Sequence, residues 1–200
     1  MTATVLTIGH SILEPQQVVA LLHLHAVTAV VDVRSIPYSQ RQPHFNREGL
    51  ERGLLAHGID YVFMGAELGG RYDEPALLGT DGRVDYLKVS STPRFEAGVV
   101  RLVEIASRRR TALLCSEHDP LSCHRGLLIS RALKSRGYRV EHVHRDGAVE
   151  PHEEAEVRLL ALTGLEPLDL FRSEEEVLAE AYVRRAQEVA YQSPPQPRGH

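Results

Sequence analysis

The stretch "TALLCSEHDPLSCHRGLLISRAL", residues 111–133, carries the information that decides the fold. Its first five residues, "TALLC", are apolar and short, as in a strand covered on both faces. A polar loop with Glu117, His118 and Asp119 follows. Then "CHR", Cys123 to Arg125, opens a segment in which Leu128, Ile129, Ala132 and Leu133 recur at helical spacing, and Gly137 ends it. A strand, a polar loop and a helix in that order form one unit of an α/β protein.

The same alternation extends outward. "TVLTI" (4–8), "TAVVDV" (28–33), "DYVFM" (60–64) and "YRVEHV" (138–143) read as the other strands. Between them lie helical patterns. One follows Pro15, with Val18, Val19 and Leu22. A second follows Asn46, an expected N-cap, with Leu50, Leu54 and Leu55 on one face and a stop at Gly58. A third carries Phe95, Val99, Leu102, Val103 and Ala106. Residues 65–93 read as irregular, and a loop of that length in a compact domain is usually functional or mobile. After Gly147 the pattern is helix only, over 151–163 and 173–190, the second opening with a Ser173/Glu176 capping box. The expected fold is a three-layer α/β domain over residues 1–147, with a mainly parallel five-stranded sheet and helices on both faces. A helical extension over 148–191 and a frayed tail over 192–200 complete it.

Composition narrows the function classes. The chain has 200 residues, 42% hydrophobic and 25% charged. No run approaches the roughly 20 apolar residues of a membrane span. The N-terminus lacks a basic region followed by an apolar stretch, and there are only two cysteines, so the expectation is a reducing, cytoplasmic setting without disulfides. The net charge of −4 divides into a mildly basic part before residue 147 and an acidic part after it. A large nucleic-acid surface needs a clearer basic excess, so nucleic acid is disfavoured as a partner, whereas a small anionic ligand is not. Neither a P-loop nor a GxGxxG fingerprint is present. No cofactor and no membrane partner is expected. The acidic helices suit either covering a sheet edge or forming a homodimer.

In a parallel sheet, ligands gather beyond the carboxyl ends of the strands. That edge receives His10 and Ser11 from strand one, Asp32 and Arg34 from strand two, Cys115 and Glu117 from strand four, and His142 and His144 from strand five. Cys123, His124 and Arg125 join them at a helix N-terminus, where free amides and the helix dipole favour anions and lower a thiol pKa. Cys123 reads as a thiolate or as a core thiol. Asp32 and Arg34 share a strand face, as a substrate-binding pair or as a structural ion pair. Glu117 suits a general acid or base, or a helix cap. His10 suits proton transfer, or a hydrogen-bonded spacer. In "RQPHFN", Arg41, His44, Phe45 and Asn46 could grip a phosphate and stack a base, or simply build a turn. Cys115, His118, Cys123 and His124 offer four zinc-type ligands, but without the usual CxxC or HxxxH pairs, and no metal is assigned.

Taken together, "TIGHS" (7–11), "VDVRSIP" (31–37), "PHFN" (43–46), "LGG" (68–70), "CSEHDPLSCHR" (115–125) and "VEHV" (140–143) resemble, in order, a bacterial family called domain of unknown function 488. The resemblance covers residues 4 to about 145. Its most specific element, C-x-E-x-x-P-x-x-C-H-R, is complete here. "YSQRQ" before "PHFN" departs from the more basic residues of relatives. The resemblance implies an α/β fold and a shared polar site, and supplies no substrate. The reading is an enzyme, a hydrolase or transferase, acting on a nucleotide-like or phosphorylated anion. Glu117, Asp32, His10 and Cys123 are its catalytic candidates. Ser11, Arg34, Asn46, His124 and Arg125 are its binding candidates. A non-catalytic nucleotide or nucleic-acid module and a zinc-stabilised interaction domain are the alternatives.

Overall fold

The computed structural model describes residues 4–166 and 172–194. Six strands form one sheet: β1 (Thr4–Gly9), β2 (Ala29–Asp32), β3 (Asp60–Phe63), β4 (Thr111–Cys115), β5 (Arg139–Val143) and β6 (Val149–Pro151), in the order β3-β2-β4-β1-β5-β6. The first five are parallel, and β6 runs antiparallel to β5. The three-layer α/β expectation holds, with one more strand than the pattern predicted. The extra strand arises because Asp146 caps a tight turn by accepting from the Ala148 N–H, and His144 receives no further strand but a hairpin return. Three residues are too few to leave a period-2 signal. β6 also lies beyond the expected boundary at residue 147.

The helices are α1 (Pro15–Leu24), α2 (Arg47–Ala56), α3 (Gly65–Leu68), α4 (Tyr86–Ser90), α5 (Pro93–Arg108), α6 (Arg131–Lys134), α7 (His152–Thr163) and α8 (Glu174–Val189). A π-helical stretch, Arg125–Ser130, runs directly into α6. The segment 65–93, expected to be irregular, contains α3, α4 and a 3-10 turn at Pro75–Leu77, and it buries Leu68, Tyr72, Val84, Tyr86 and Val89. Asn46 stands at the N-cap position of α2 but makes no cap bond. Its Oδ1 instead accepts from the Ser39 N–H at 2.7 Å, pinning the loop before it. On α2, Leu50 and Leu54 are buried while Leu55 is exposed, because adjacent residues on a helix diverge by about 100°.

Strand alternation divides the core. Leu6, Ile8, Val30, Ala112 and Leu114 face α1 and α2. Val5, Val31, Leu113 and Cys115 face the other helices, and the apolar faces of α7 and α8 (Ala155, Leu159, Val177, Ala181, Tyr182) belong to this same core. The capping box of α8 forms as the sequence predicts. Gln192 bridges Arg83, so the C-terminal segment is paired at that point. Residues 195–200 of the expected tail lie outside the described residues.

Beneath β1 and β5 runs a buried polar chain. Tyr182 donates to Glu156 Oε1 at 2.9 Å, so its oxygen accepts from His152 Nε2, also at 2.9 Å. His152 Nδ1 then accepts from His142 Nε2 at 2.9 Å, and His142 Nδ1 from the Thr7 hydroxyl at 2.8 Å. Glu156 ends the chain in an ion pair with Lys134. This single direction of donation requires both histidines to be neutral. Burial first, and then the repulsion that a proton on His142 would meet from His152 and Arg125, hold His142 well below its ordinary pKa. Burial likewise lowers His152, against the pull of Glu156. Unfolding therefore takes up protons below pH 6.5. Stability is full above that value and falls as pH drops toward each folded pKa, by at most about 1.4 kcal/mol per pH unit for each such histidine. Urea midpoints measured from pH 7.5 to 5 should decline accordingly; a flat profile would contradict the neutral chain.

Candidate functional site

β1 and β4 are adjacent and parallel, yet the chain leaves them in opposite directions across the sheet: toward β2 from β1, and toward β5 from β4. Ligand crevices form at such switch points. Backbone bonds zip the two loops together: the His10 N–H donates to the Cys115 carbonyl and the Ser11 N–H to the Ser116 carbonyl. Gly9 permits this contact, because a Cβ there would lie 1.7 Å from the Glu117 carbonyl oxygen.

The loop after β4 is held by Arg125. It is 1% exposed and donates from Nη1 to the Glu117 carbonyl at 2.6 Å and from Nη2 to the His118 carbonyl at 2.8 Å. Its Nε is buried and has no partner among the described residues. Arg125 was expected to grip a ligand. It instead sits behind the loop, because two of its three nitrogens are committed to backbone. Asp119, not Glu117, performs the capping, accepting from the Leu121 N–H. Arg158 of α7 pairs with Asp119 and Glu150, and Arg185 of α8 donates to the Leu121 carbonyl and the Ser122 hydroxyl. The C-terminal helices thus brace this loop from behind.

In front of it lies a cleft of about 370 Å3. Arg34, Ser35, Arg71, Ser116, Glu117 and Ser122 line its polar side, with Cys115, Cys123 and His124 on its wall and Tyr86, Val189 and Tyr191 closing it. Of the residues expected from sequence, Arg34, Glu117, Cys123 and His124 meet here. Ser11, Asn46 and Arg125 do not line the cleft, and Asp32 and His10 reach it only through Arg34. Glu117 is exposed. Arg71, Tyr86 and Tyr191 were missed by the sequence reading. Arg71 directly follows the "LGG" run, which signals close backbone approach and not a ligand-binding side chain, and Tyr86 and Tyr191 lie in stretches without a motif.

Arg34 is fixed by Asp32. Nε meets Oδ1 at 2.9 Å and Nη2 meets Oδ2 at 2.6 Å, with the pair 6% and 0% exposed. The Tyr61 hydroxyl adds a bond to Oδ2 at 2.8 Å. The remaining nitrogen, Nη1, makes only a long 3.4 Å contact with His10 Nε2. His10 stacks on Phe45 at 4.2 Å, and burial together with the Arg34 charge lowers its pKa to about 4, so it is neutral near pH 7.

His124 donates from Nε2 to the Val33 carbonyl at 2.9 Å, which leaves Nδ1 with a lone pair. Gly70 of the "LGG" run allows the ring its place, since a Cβ there would fall 2.6 Å from His124 Cγ. Nδ1 lies 3.9 Å from Cys115 Sγ and 3.8 Å from Cys123 Sγ. The Arg125 N–H points at Cys123 Sγ from 3.5 Å. The hydrogen bond between the thiols and their burial raise the Cys115 pKa. Burial opposes ionisation of Cys123, but its bond from Cys115 and the Arg125 charge prevail and hold it well below the ordinary thiol value.

The family model described as Domain of unknown function DUF488 matches residues 14–132, more than half of the chain. The match includes "VDVRSIP", "PHFN", "LGG" and the whole "CSEHDPLSCHR" run, and leaves "TIGHS" and "VEHV" outside. No curated protein matches the chain. No helix among the described residues is long and apolar enough to cross a membrane.

Removing the Asp32 carboxylate should strand Arg34 as a buried unpaired charge. Asp32→Ala is expected to cost about 3–5 kcal/mol in chemical denaturation, and a loss below about 1 kcal/mol, the range of an exposed pair, would show that the pair is dispensable.

Proposed function

Since this chain belongs to the DUF488 family, whose description carries no activity, we propose from the cleft alone that it is an enzyme acting on a small phosphorylated or nucleotide-like anion, by hydrolysis or group transfer. One observation carries the reading: an arginine locked by a buried carboxylate lines the same cleft as a second arginine, an exposed carboxylate and the electron-rich Cys115, Cys123 and His124 cluster. Arg34 and Arg71 hold the anion. Arg34 does so with a guanidinium that needs no reorganisation, the condition under which electrostatic stabilisation is strongest. The Asp32 ion pair, Tyr61 and His10 position Arg34. Glu117, exposed at the cleft, transfers the proton. The cluster is where the reacting atom of the substrate meets the protein.

The test uses the full chain and a panel of inorganic phosphate, pyrophosphate and nucleoside mono- and diphosphates. Calorimetry should find binding by at least one of them, weakened about 10- to 100-fold by Arg71→Ala, as expected for lost hydrogen bonds to a charged group. Glu117→Gln should leave binding within a few fold and lower turnover by roughly 10²- to 10⁴-fold. Unchanged binding in the Arg71 variant removes the anion site. Binding without any turnover assigns the cleft to a non-catalytic nucleotide module instead.

A further inference from the structure

We infer that Cys115, Cys123 and His124 form a zinc site with three protein ligands and a fourth position open to the cleft. The inference begins with the lone pair of His124. Its Nε2–H is committed to the Val33 carbonyl, so Nδ1 is the free nitrogen. A histidine whose other nitrogen donates to a backbone carbonyl is oriented as metal ligands usually are. Nδ1 has one lone pair, yet it faces two sulfurs at nearly equal range, 3.8 and 3.9 Å. One lone pair accepts from one S–H at a time, so at most one of these contacts is a hydrogen bond, and the other sulfur stands at nearly the same range without one.

The spacing suits a cation between them. The three ligand atoms lie within 4.8 Å of one another. Zinc bonds of about 2.3 Å to sulfur and about 2.0–2.1 Å to nitrogen, at tetrahedral angles, separate sulfur from nitrogen by about 3.6 Å and sulfur from sulfur by about 3.8 Å. The observed sulfur–nitrogen distances need close by only a few tenths of an ångström. Two thiolates, one neutral imidazole and Zn(II) sum to zero charge, which answers the cost of placing ionised sulfur at positions only 4–5% exposed. The set is soft and tetrahedral, the kind that selects zinc over the harder divalent cations. The ligands are rigidly presented: Cys115 by the end of β4, Cys123 and His124 by the turn entering the π-helical stretch, and the imidazole by the close approach of Gly70.

All three line the cleft wall, so a fourth position on that side opens to the cleft. Three protein ligands and one open position is the arrangement of catalytic rather than structural zinc. Of the four zinc-type residues in the sequence, His118 is the one left out, since it is exposed and its ring lies against His144. Only the assignment of the fourth position to a substrate or water rests on the proposed function of the cleft. The three-ligand site itself does not.

The chain has two cysteines, so thiol readouts are unambiguous. The intact protein, purified under reducing conditions, is loaded with Zn(II) or Co(II), desalted and analysed for metal. One metal per chain is expected, with release of the thiol protons. The Co(II) form should show intense visible bands of a tetrahedral site and a near-ultraviolet band from thiolate to metal. Zn(II) should protect both Cys115 and Cys123 from alkylation, and a chelator should restore it. Cys123→Ser and His124→Ala should each lose stoichiometric metal, but the wild-type readings decide even where a variant misfolds. Sub-stoichiometric metal after desalting, an octahedral Co(II) spectrum, or thiols equally reactive with and without Zn(II) overturns the site; a Cys115–Cys123 disulfide forming in place of metal binding does so too. Zinc bound with no phosphate or nucleotide binding keeps this site and removes the proposed function. Anion binding without metal does the reverse.

Discussion

Arg125 is buried to 1% exposure and turns two nitrogens on the carbonyls of Glu117 and His118, so the loop after β4 is folded back over the end of β1. Hydrogen bonds to a charged group contribute about 1.5–3 kcal/mol, and a buried guanidinium deprived of them is costly. The loop therefore cannot drift without stranding the charge. Much else depends on its position. It brings Cys123, eight residues downstream of Cys115, back beside it. It places Glu117 at the cleft, and it requires glycine at position 9, where its carbonyl rests.

A second anchor lies across the switch point. Asp32 holds Arg34 through two side-chain bonds, and Tyr61 completes the carboxylate. The ion pair leaves one guanidinium nitrogen turned away from Asp32. The two arginines thus divide the labour. Arg125 shapes the loop, while Arg34, held by Asp32, lines the cleft. His10, stacked on Phe45 and kept neutral, adds no competing charge beside Arg34.

The C-terminal helices are part of the same construction. Their apolar faces complete the core on one side of the sheet. Arg158 and Arg185 reach from them to Asp119, Leu121 and Ser122, and Tyr191 follows α8 to the cleft wall. The buried chain from Thr7 through His142, His152 and Tyr182 to Glu156 ties α7 and α8 to β1 and β5. An acidic composition, read along the chain, suggests a solvated appendage. In space, Arg158, Arg185, Tyr182 and Tyr191 turn toward the rest of the fold, and most of the described glutamates turn outward.

By itself, the sequence determined the alternation of strands and helices, the mainly parallel direction of the first five strands and the edge at which the polar residues collect. Apolar periodicity and the strand-end rule are local properties, and they are legible residue by residue. It also singled out Arg34, Glu117, Cys123 and His124, which do meet at the cleft. Tertiary structure decided which charges face the cleft and which are consumed holding it. Arg125 reads as a ligand-binding residue in a motif and Asp32 as a catalytic candidate or half of an ion pair; folding commits Arg125 to two backbone carbonyls and Asp32 to Arg34 and Tyr61, and local pattern could not decide that. The three-residue β6, the helices within 65–93 and the cleft contributions of Arg71, Tyr86 and Tyr191 stayed illegible for the same reason. Each is set by what packs against it across the chain, and no short-range pattern encodes that.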